Sequence, residues 1–201
     1  MKQSKFFYWG PLVMQHFLTK DELDAVKHLC HKDQRKNYKS HLAGHLEDEF
    51  QIDYNAFEKI IAKYIDEYCR MLFQWKENDK ERRTHRDGYV FTAWVNYMKP
   101  GDFNPPHTHS GELSGVLFVD VPEQIHSESL NFGANGHGPG TLNITIGPPK
   151  KHWIDSYAFL PTAGEMFIFP ADTPHWVAPF RSNVERVSVA FNISFKGYSS
   201  I

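Results

Sequence analysis

In the stretch NPPHTHSGELSG, His107 and His109 stand two residues apart, directly after Pro105-Pro106 and ahead of a segment that reads as a strand. Side chains at i and i+2 of an extended segment point the same way, so both imidazoles can meet one object. A third imidazole comes from EMFIFPADTPHWVAPF, where a strand ends at Pro170, a tight turn follows, and His175 opens the next extended piece. Imidazole suits Fe, Zn, Ni and Cu, and three such donors on a rigid scaffold leave positions open for water, dioxygen or a chelating acid. His107, His109 and His175 are therefore the candidate metal ligands and the candidate catalytic centre. The remaining nine histidines carry plainer readings. His16, His28, His31, His41, His45 and His85 belong in or beside a helical part as surface or hydrogen-bonding residues. His126, His137 and His152 fall in loops or edges of the β-rich part, with substrate contact as the alternative.

The segment ERVSVAFN adds a candidate anion site. Alternation places Arg186, Ser188, Ala190 and Asn192 on one face, and Val187, Val189, Phe191 and Ile193 on the other. The apolar face must pack against an outer layer, which turns Arg186 and Ser188 inward. A buried guanidinium needs a carboxylate, because an unpaired buried charge is expensive. Arg186 can hold that carboxylate through two parallel hydrogen bonds while Ser188 adds a third. The alternative is a structural arginine paired with a protein Asp or Glu. On the strand before the histidine pair, Trp94, Asn96 and Tyr97 are candidate helpers; alternation puts Trp94 and Asn96 on one face, so an inward Asn96 is a further candidate ligand-binding donor, and Ser114 is another.

These residues need a frame to hold them. From residue 89 onward, YVFTAWVNYM, GELSGVLFVDV, SLNFG, GTLNITI, KHWIDSYAFLP, EMFIFP and ERVSVAFNISF are short aromatic and β-branched segments separated by Gly, Pro, Asn and Asp. Strands with no helical stretch between them predict a double-sheet barrel or jelly roll rather than a βα fold. Upstream, FFYWGPLVM reads as a strand interrupted at Gly10-Pro11. Thr19 and Glu22 then form a capping box, with Leu18 and Leu23 at the positions of a hydrophobic staple. Residues 32 to 52 read as polar and irregular, and a longer helix is predicted over roughly 53 to 74, where Phe57, Ile60, Ile61, Tyr64, Ile65, Tyr68, Met71 and Leu72 recur at helical steps. The run KENDKERRTHRD, residues 76 to 87, reads as a solvated linker, with Arg82, Arg83 and Arg86 as alternative rim residues of a substrate entrance. The expected division is residues 1–88 as an N-terminal strand and helical cover within the same domain, and 89–201 as the β core, the helices covering one outer sheet face.

Composition narrows the class. The 22 Lys+Arg against 24 Asp+Glu give a net charge of -2, so no general cationic field holds nucleic acid. Two cysteines, Cys30 and Cys69, are too few for a disulfide framework and read as buried free thiols in apolar helical contexts. No apolar run is long enough for a membrane span, and no leader is read at MKQSKFFYWGPLV, which makes the expectation a soluble cytoplasmic protein.

Taken together, His107-Thr108-His109, the distant His175 and Arg186-Val187-Ser188 eleven residues beyond it resemble the 2-oxoglutarate and Fe(II)-dependent oxygenases. The likeness covers about residues 89 to 195, with a weaker similarity through the helices. NYMKPGDFNPPHTHSGELSGVLFVDVP, GEMFIFPADTPHWVAPF and RVSVAFN are similar in particular to a branch common in phages and marine bacteria. The resemblance implies a double-stranded β-helix, Fe(II), and 2-oxoglutarate as co-substrate. The keto acid end of that co-substrate would chelate iron, its far carboxylate would meet Arg186 and Ser188, and Asn96, or Ser114, would contact the co-substrate directly. The implied reaction uses dioxygen to hydroxylate a small molecule or peptide side chain, releasing succinate and CO2; a homodimer is an open expectation. One departure matters: the family's H-x-D/E carboxylate is His109 here. Gly101, His107, His109 and Glu112, with Gly164, Pro170, Asp172 and His175, also nearly reproduce the two cupin motifs, although the Glu comes one residue early and the final Asn is absent. Three-histidine iron occurs in that class. Glu112 thus stands as an alternative ligand or supporting partner, a cupin-type dioxygenase or isomerase without 2-oxoglutarate as an alternative function, and a non-catalytic ligand-binding jelly roll as another.

Overall fold

The computed structural model describes residues 4–8, 10–30, 46, 48–75, 88–133, 138–148, 151 and 154–196. The chain forms β1 (Lys5–Tyr8), β2 (Leu12–Phe17), α1 (Lys20–Leu29), β3 (Asp48–Gln51), α2 (Tyr54–Trp75), β4 (Tyr89–Met98), β5 (Asn104–His107), β6 (Leu113–Asp120), α3 (Glu123–Leu130), β7 (Leu142–Thr145), β8 (Ser156–Phe159), β9 (Glu165–Pro170), β10 (His175–Val177) and β11 (Arg186–Phe195). A large sheet in the order β1-β2-β9-β6-β11-β4-β3 faces a small one in the order β5-β10-β7-β8. Every pairing is antiparallel, as expected of a double-stranded β-helix.

The period-two pattern of the large sheet separates two environments. Ala93, Val95 and Tyr97 of β4, with Val189, Phe191 and Ile193 of β11, join Phe57, Ile61, Ile65 and Tyr68 of α2 in one core on the helix side. Trp94, Asn96 and Met98 of β4, with Arg186 and Ser188 of β11, line the space between the sheets. Their apolar neighbours there are Phe118, Phe167, Phe169, Leu142, Ile144 and Phe159. The helices back the sheet and leave the other face for chemistry. At Gly115, in the middle of β6, an added Cβ would stand 2.2 Å from Phe191 Cζ and 2.7 Å from the Phe167 carbonyl oxygen. That strand reaches its neighbours only because it has no side chain there.

The capping box at Thr19 and Glu22 is present, with both reciprocal hydrogen bonds formed. Cys30 and Cys69 are buried thiols, not joined in a disulfide. Three expectations are corrected. Gly10-Pro11 turns the first strand back on itself, so FFYWGPLVM is the hairpin of β1 and β2. Residues 32–52 are not all irregular, since β3 closes the edge of the large sheet against β4. A helix, α3, lies among the later strands and absorbs the start of SLNFG; it buries only Ile125, too little periodicity to declare itself. The segments holding Arg82, Arg83 and Arg86, and His31, His41, His45, His85, His137 and His152, lie outside the described residues. No described helix is long and apolar enough to cross a membrane.

Glu22 ties the helices together beyond its cap. Its carboxylate accepts from the Tyr64 hydroxyl at 3.0 and 2.9 Å and pairs with the Lys63 ammonium. Burial acts to raise this carboxyl, but the Lys63, Thr19 and Tyr64 hydrogen bonds outweigh it and hold it at about 2. Its folded pKa is depressed, so the stabilisation is present above the ordinary carboxyl range and is lost as pH falls toward 2. Glu22→Gln is expected to lower stability at neutral pH by about 1–2 kcal/mol. Denaturant midpoints of variant and parent, followed down in pH, should converge below pH 3.

Candidate metal centre

The three histidines converge from one sheet and one loop. His107 ends β5 and is the Cα partner of His175, which begins β10, so their side chains share a face. His109 follows in a loop whose backbone is anchored by its own N–H donating to the Ala171 carbonyl at 2.9 Å. The ring centroids are 4.3 Å apart for His107 and His175, 4.8 Å for His107 and His109, and 5.1 Å for His109 and His175. One nitrogen from each can be chosen so that all lie within 4.8 Å of one another. His107 Nε2 and His109 Nε2 are 3.2 Å apart. Nitrogens bound at about 2.1 Å to one ion are roughly 3–3.4 Å apart, so this spacing already suits a shared metal.

Orientation is supplied unequally. His107 Nδ1 lies 2.6 Å from the Pro105 carbonyl and His175 Nδ1 lies 2.9 Å from that of Thr173. Each contact fixes a tautomer and leaves Nε2 as the free lone pair, the arrangement usual for metal-binding imidazoles. Phe169 packs edge-on against His175 at 4.7 Å. Among the described residues the ring of His109 makes no such carbonyl contact; the Trp94 indole lies beside it at 5.8 Å. Burial lowers the pKa of all three histidines, with the charge of His107 pushing further on the other two: His109 falls to about 4 and His175 to about 3. They are neutral near pH 7, as ligands must be.

No carboxylate joins the group among the described residues. Glu112 is engaged elsewhere: Oε2 accepts the Phe195 N–H at 2.6 Å. Asp102 accepts the Lys99 N–H at 2.9 Å. His126 is held by the Pro161 carbonyl at 2.7 Å.

A cavity of about 150 Å³ leads from the histidines between the sheets to Arg186. Arg186 is 2% exposed. Nη1 donates to the Gly140 carbonyl at 2.8 Å and Nη2 lies 2.7 Å from Met98 Sδ, while among the described residues Nε has no hydrogen-bond partner. The group lies over the Phe118 ring, 5.2 Å from its centroid. Burial lowers its pKa to about 10, so it remains a cation at neutral pH. Among the described residues no carboxylate pairs with it. Ser188 and Asn96 are Cα partners two residues along, both buried, and the Asn96 Oδ1 is unpartnered. Ser114 is buried on the same wall, whereas Tyr97 faces the helices, its hydroxyl donating to the Cys30 carbonyl.

Sequence reading missed Glu49, Met98, Asn104 and Gly140 as parts of this region. Glu49 lies buried on the cavity wall from β3, a strand of four residues, DEFQ, with no apolar alternation to reveal it. Gly140 has φ of 74° and its missing Cβ would stand 2.4 Å from Ile125 Cγ2. An alanine there is strained and displaces the carbonyl that seats Arg186. Gly140→Ala is expected to lower stability by about 1–3 kcal/mol, read by urea unfolding.

The family model for 2OG-Fe(II) oxygenases matches residues 92–192, spanning the three histidines and Arg186. The chain belongs to this 2OG-Fe(II) oxygenase family. No curated protein matches it. Among solved structures, this family member is similar to a prolyl-4-hydroxylase from Pseudomonas putida, with 18% identity, TM-score 0.56, and 92% of this chain and 93% of that one covered. It is also similar to a Trichoplax adhaerens prolyl hydroxylase solved with a hypoxia inducible factor oxygen degradation domain peptide fragment, at 12% identity, TM-score 0.56 and coverage of 94% and 84%. HygX from Streptomyces hygroscopicus, solved with nickel, 2-oxoglutarate and hygromycin B, gives 8% identity, TM-score 0.56 and coverage of 94% and 84%. At these identities the likeness establishes the fold.

Proposed function

We propose that this oxygenase-family chain holds iron through His107, His109 and His175 and oxidises a small molecule or a peptide side chain with dioxygen. The donor set carries this reading. Three neutral imidazoles cluster without a carboxylate, which favours the three-histidine alternative over the two-histidine, one-carboxylate pattern. Bound iron would supply the one-electron and dioxygen chemistry that protein side chains lack. The chain's own part is to hold the three Nε2 donors, to keep two of them in one tautomer through Pro105 and Thr173, and to wall the centre from water with Trp94 and Phe169.

A second reading, with 2-oxoglutarate as co-substrate, is favoured by one specific observation: a buried guanidinium without a carboxylate at the far end of the same cavity. An acid carboxylate there would accept from Arg186 and Ser188 and neutralise the buried charge. The branch-like RVSVAFN motif points the same way.

Anaerobic titration separates the readings. Fe(II) should bind to one site per chain. With 2-oxoglutarate as co-substrate, its addition develops a visible absorption band, and admitting oxygen releases succinate. A three-histidine enzyme independent of this acid shows neither, yet consumes oxygen with its own substrate. Failure to take up metal removes both, leaving a ligand-binding jelly roll.

A further inference from the structure

We propose that the walls of this cavity form a seat for a primary ammonium group, so that the substrate oxidised at the histidines is an aliphatic amine. The inference deepens the oxygenase reading and rests on this cavity being the reaction chamber. It starts from polar side chains that neither the metal ligands nor Arg186 engage. Asn96 lies on β4 of the large sheet and Asn104 begins β5 of the small one, and both line the cavity. Oδ1 of each carboxamide is buried and, among the described residues, accepts no hydrogen bond. Buried polar groups are normally satisfied, so two orphan acceptors on the two walls of one cavity mark where a ligand supplies the partners.

Only a donor can answer an orphan acceptor. Carboxylate and keto oxygens donate nothing, so an acid seated on Arg186 leaves both carboxamide oxygens as they are. A hydroxyl brings one donor, which is short of two acceptors. An ammonium brings three, and it carries no acceptor that would itself need a partner. The neighbouring groups suit its charge. Glu49, the Cα partner of Asn96 on β3, adds a buried carboxyl to the same wall. Trp94, two residues before Asn96, adds an indole. Carboxyl oxygens and an aromatic face both favour a cation over a neutral amide. The seat also borders the metal ligands, where a substrate carbon has to come: Asn104 stands three residues before His107, and the Trp94 ring lies 5.8 Å from that of His109.

Butylammonium and butan-1-ol, alike in shape but unlike in donors, test this on Ni(II)-loaded and metal-free protein at neutral pH, with calorimetric affinity as the readout. The parent is expected to bind butylammonium about tenfold tighter than the alcohol, or more. Asn96→Leu and Asn104→Leu are each expected to erase most of that preference, and Asn104→Asp, which keeps an acceptor oxygen, to retain it. Melting of the metal-free Leu variants is expected at or above the parent's temperature, because an orphan acceptor has given way to an apolar group. Equal or tighter binding of the alcohol overturns the ammonium seat, and so does a preference that the Leu variants leave unchanged. A preference seen only with nickel is coordination of the amine to the metal and also overturns it. Loss of the preference in the Leu and Asp variants alike, with a marked fall in melting temperature, makes the asparagines structural and overturns it as well. Metal uptake is measured separately: a parent that shows the preference yet binds neither Ni(II) nor Fe(II) keeps the ammonium seat, while the oxygenase reading falls.

Discussion

His175→Ala is expected to lower affinity for Fe(II) or Co(II) by more than a hundredfold and to abolish oxygen-dependent turnover. Loss of a supporting partner to a metal ligand alone costs roughly 10–100-fold, and here the ligand itself goes. His175 is also the member most firmly placed: it pairs with His107 across the strands, is fixed by the Thr173 carbonyl and lies against Phe169. The metal-induced rise in melting temperature should vanish in the same variant, since only binding to the folded state produces it. His109→Asp is the informative contrast. Among the described residues its imidazole has no carbonyl partner, and aspartate restores the family's H-x-D pattern at that position. Metal affinity within about tenfold of the parent is expected for this variant, read by Co(II) absorption titration. Equal losses in the two variants would show that the three imidazoles act as an indivisible set.

Arg186→Met should separate metal from acid. Metal binding is expected to persist, because the guanidinium belongs to the far end of the cavity, while 2-oxoglutarate affinity falls by about a hundredfold. That factor corresponds to roughly 3 kcal/mol, the scale of a buried charged pair losing one partner. The ligand-free protein should gain about 1–2 kcal/mol, since methionine removes a buried cation that no carboxylate neutralises. Calorimetry with 2-oxoglutarate and thermal melts without it read the two effects. Unchanged acid affinity would remove the role assigned to Arg186.

What the sequence made legible was whatever left a period or a local chemical signature. His107 and His109 follow a proline pair and share one face of extended chain; Arg186 and Ser188 stand on the polar side of a strand whose other side is uniformly apolar. Thr19 and Glu22 satisfy each other within one turn, so their cap needs no tertiary knowledge. Elements stabilised only by distant partners stayed hidden. β3 is four mostly polar residues that become a strand by pairing with β4, and Glu49 faces the cavity only as a result. α3 follows Pro122, which offers no side-chain cap, and buries one residue, so neither end nor stripe marks it. Asn104 is an ordinary pre-proline asparagine until the barrel closes around it.

β11 is hydrogen-bonded along both edges, to β4 across its whole length and to β6 across most of it. A strand secured on both sides opens only with large-scale unfolding, so its amides should be among the slowest in the molecule to exchange with deuterium. The anchor for the acid is thereby tied to the global stability of the domain. β10, which holds His175, is also paired along both edges, to β5 and β7, but over only three residues of the smaller, four-stranded and lighter sheet. Directed evolution toward new substrates has most freedom around that lighter sheet and its connections, while the central strand is the part to leave alone.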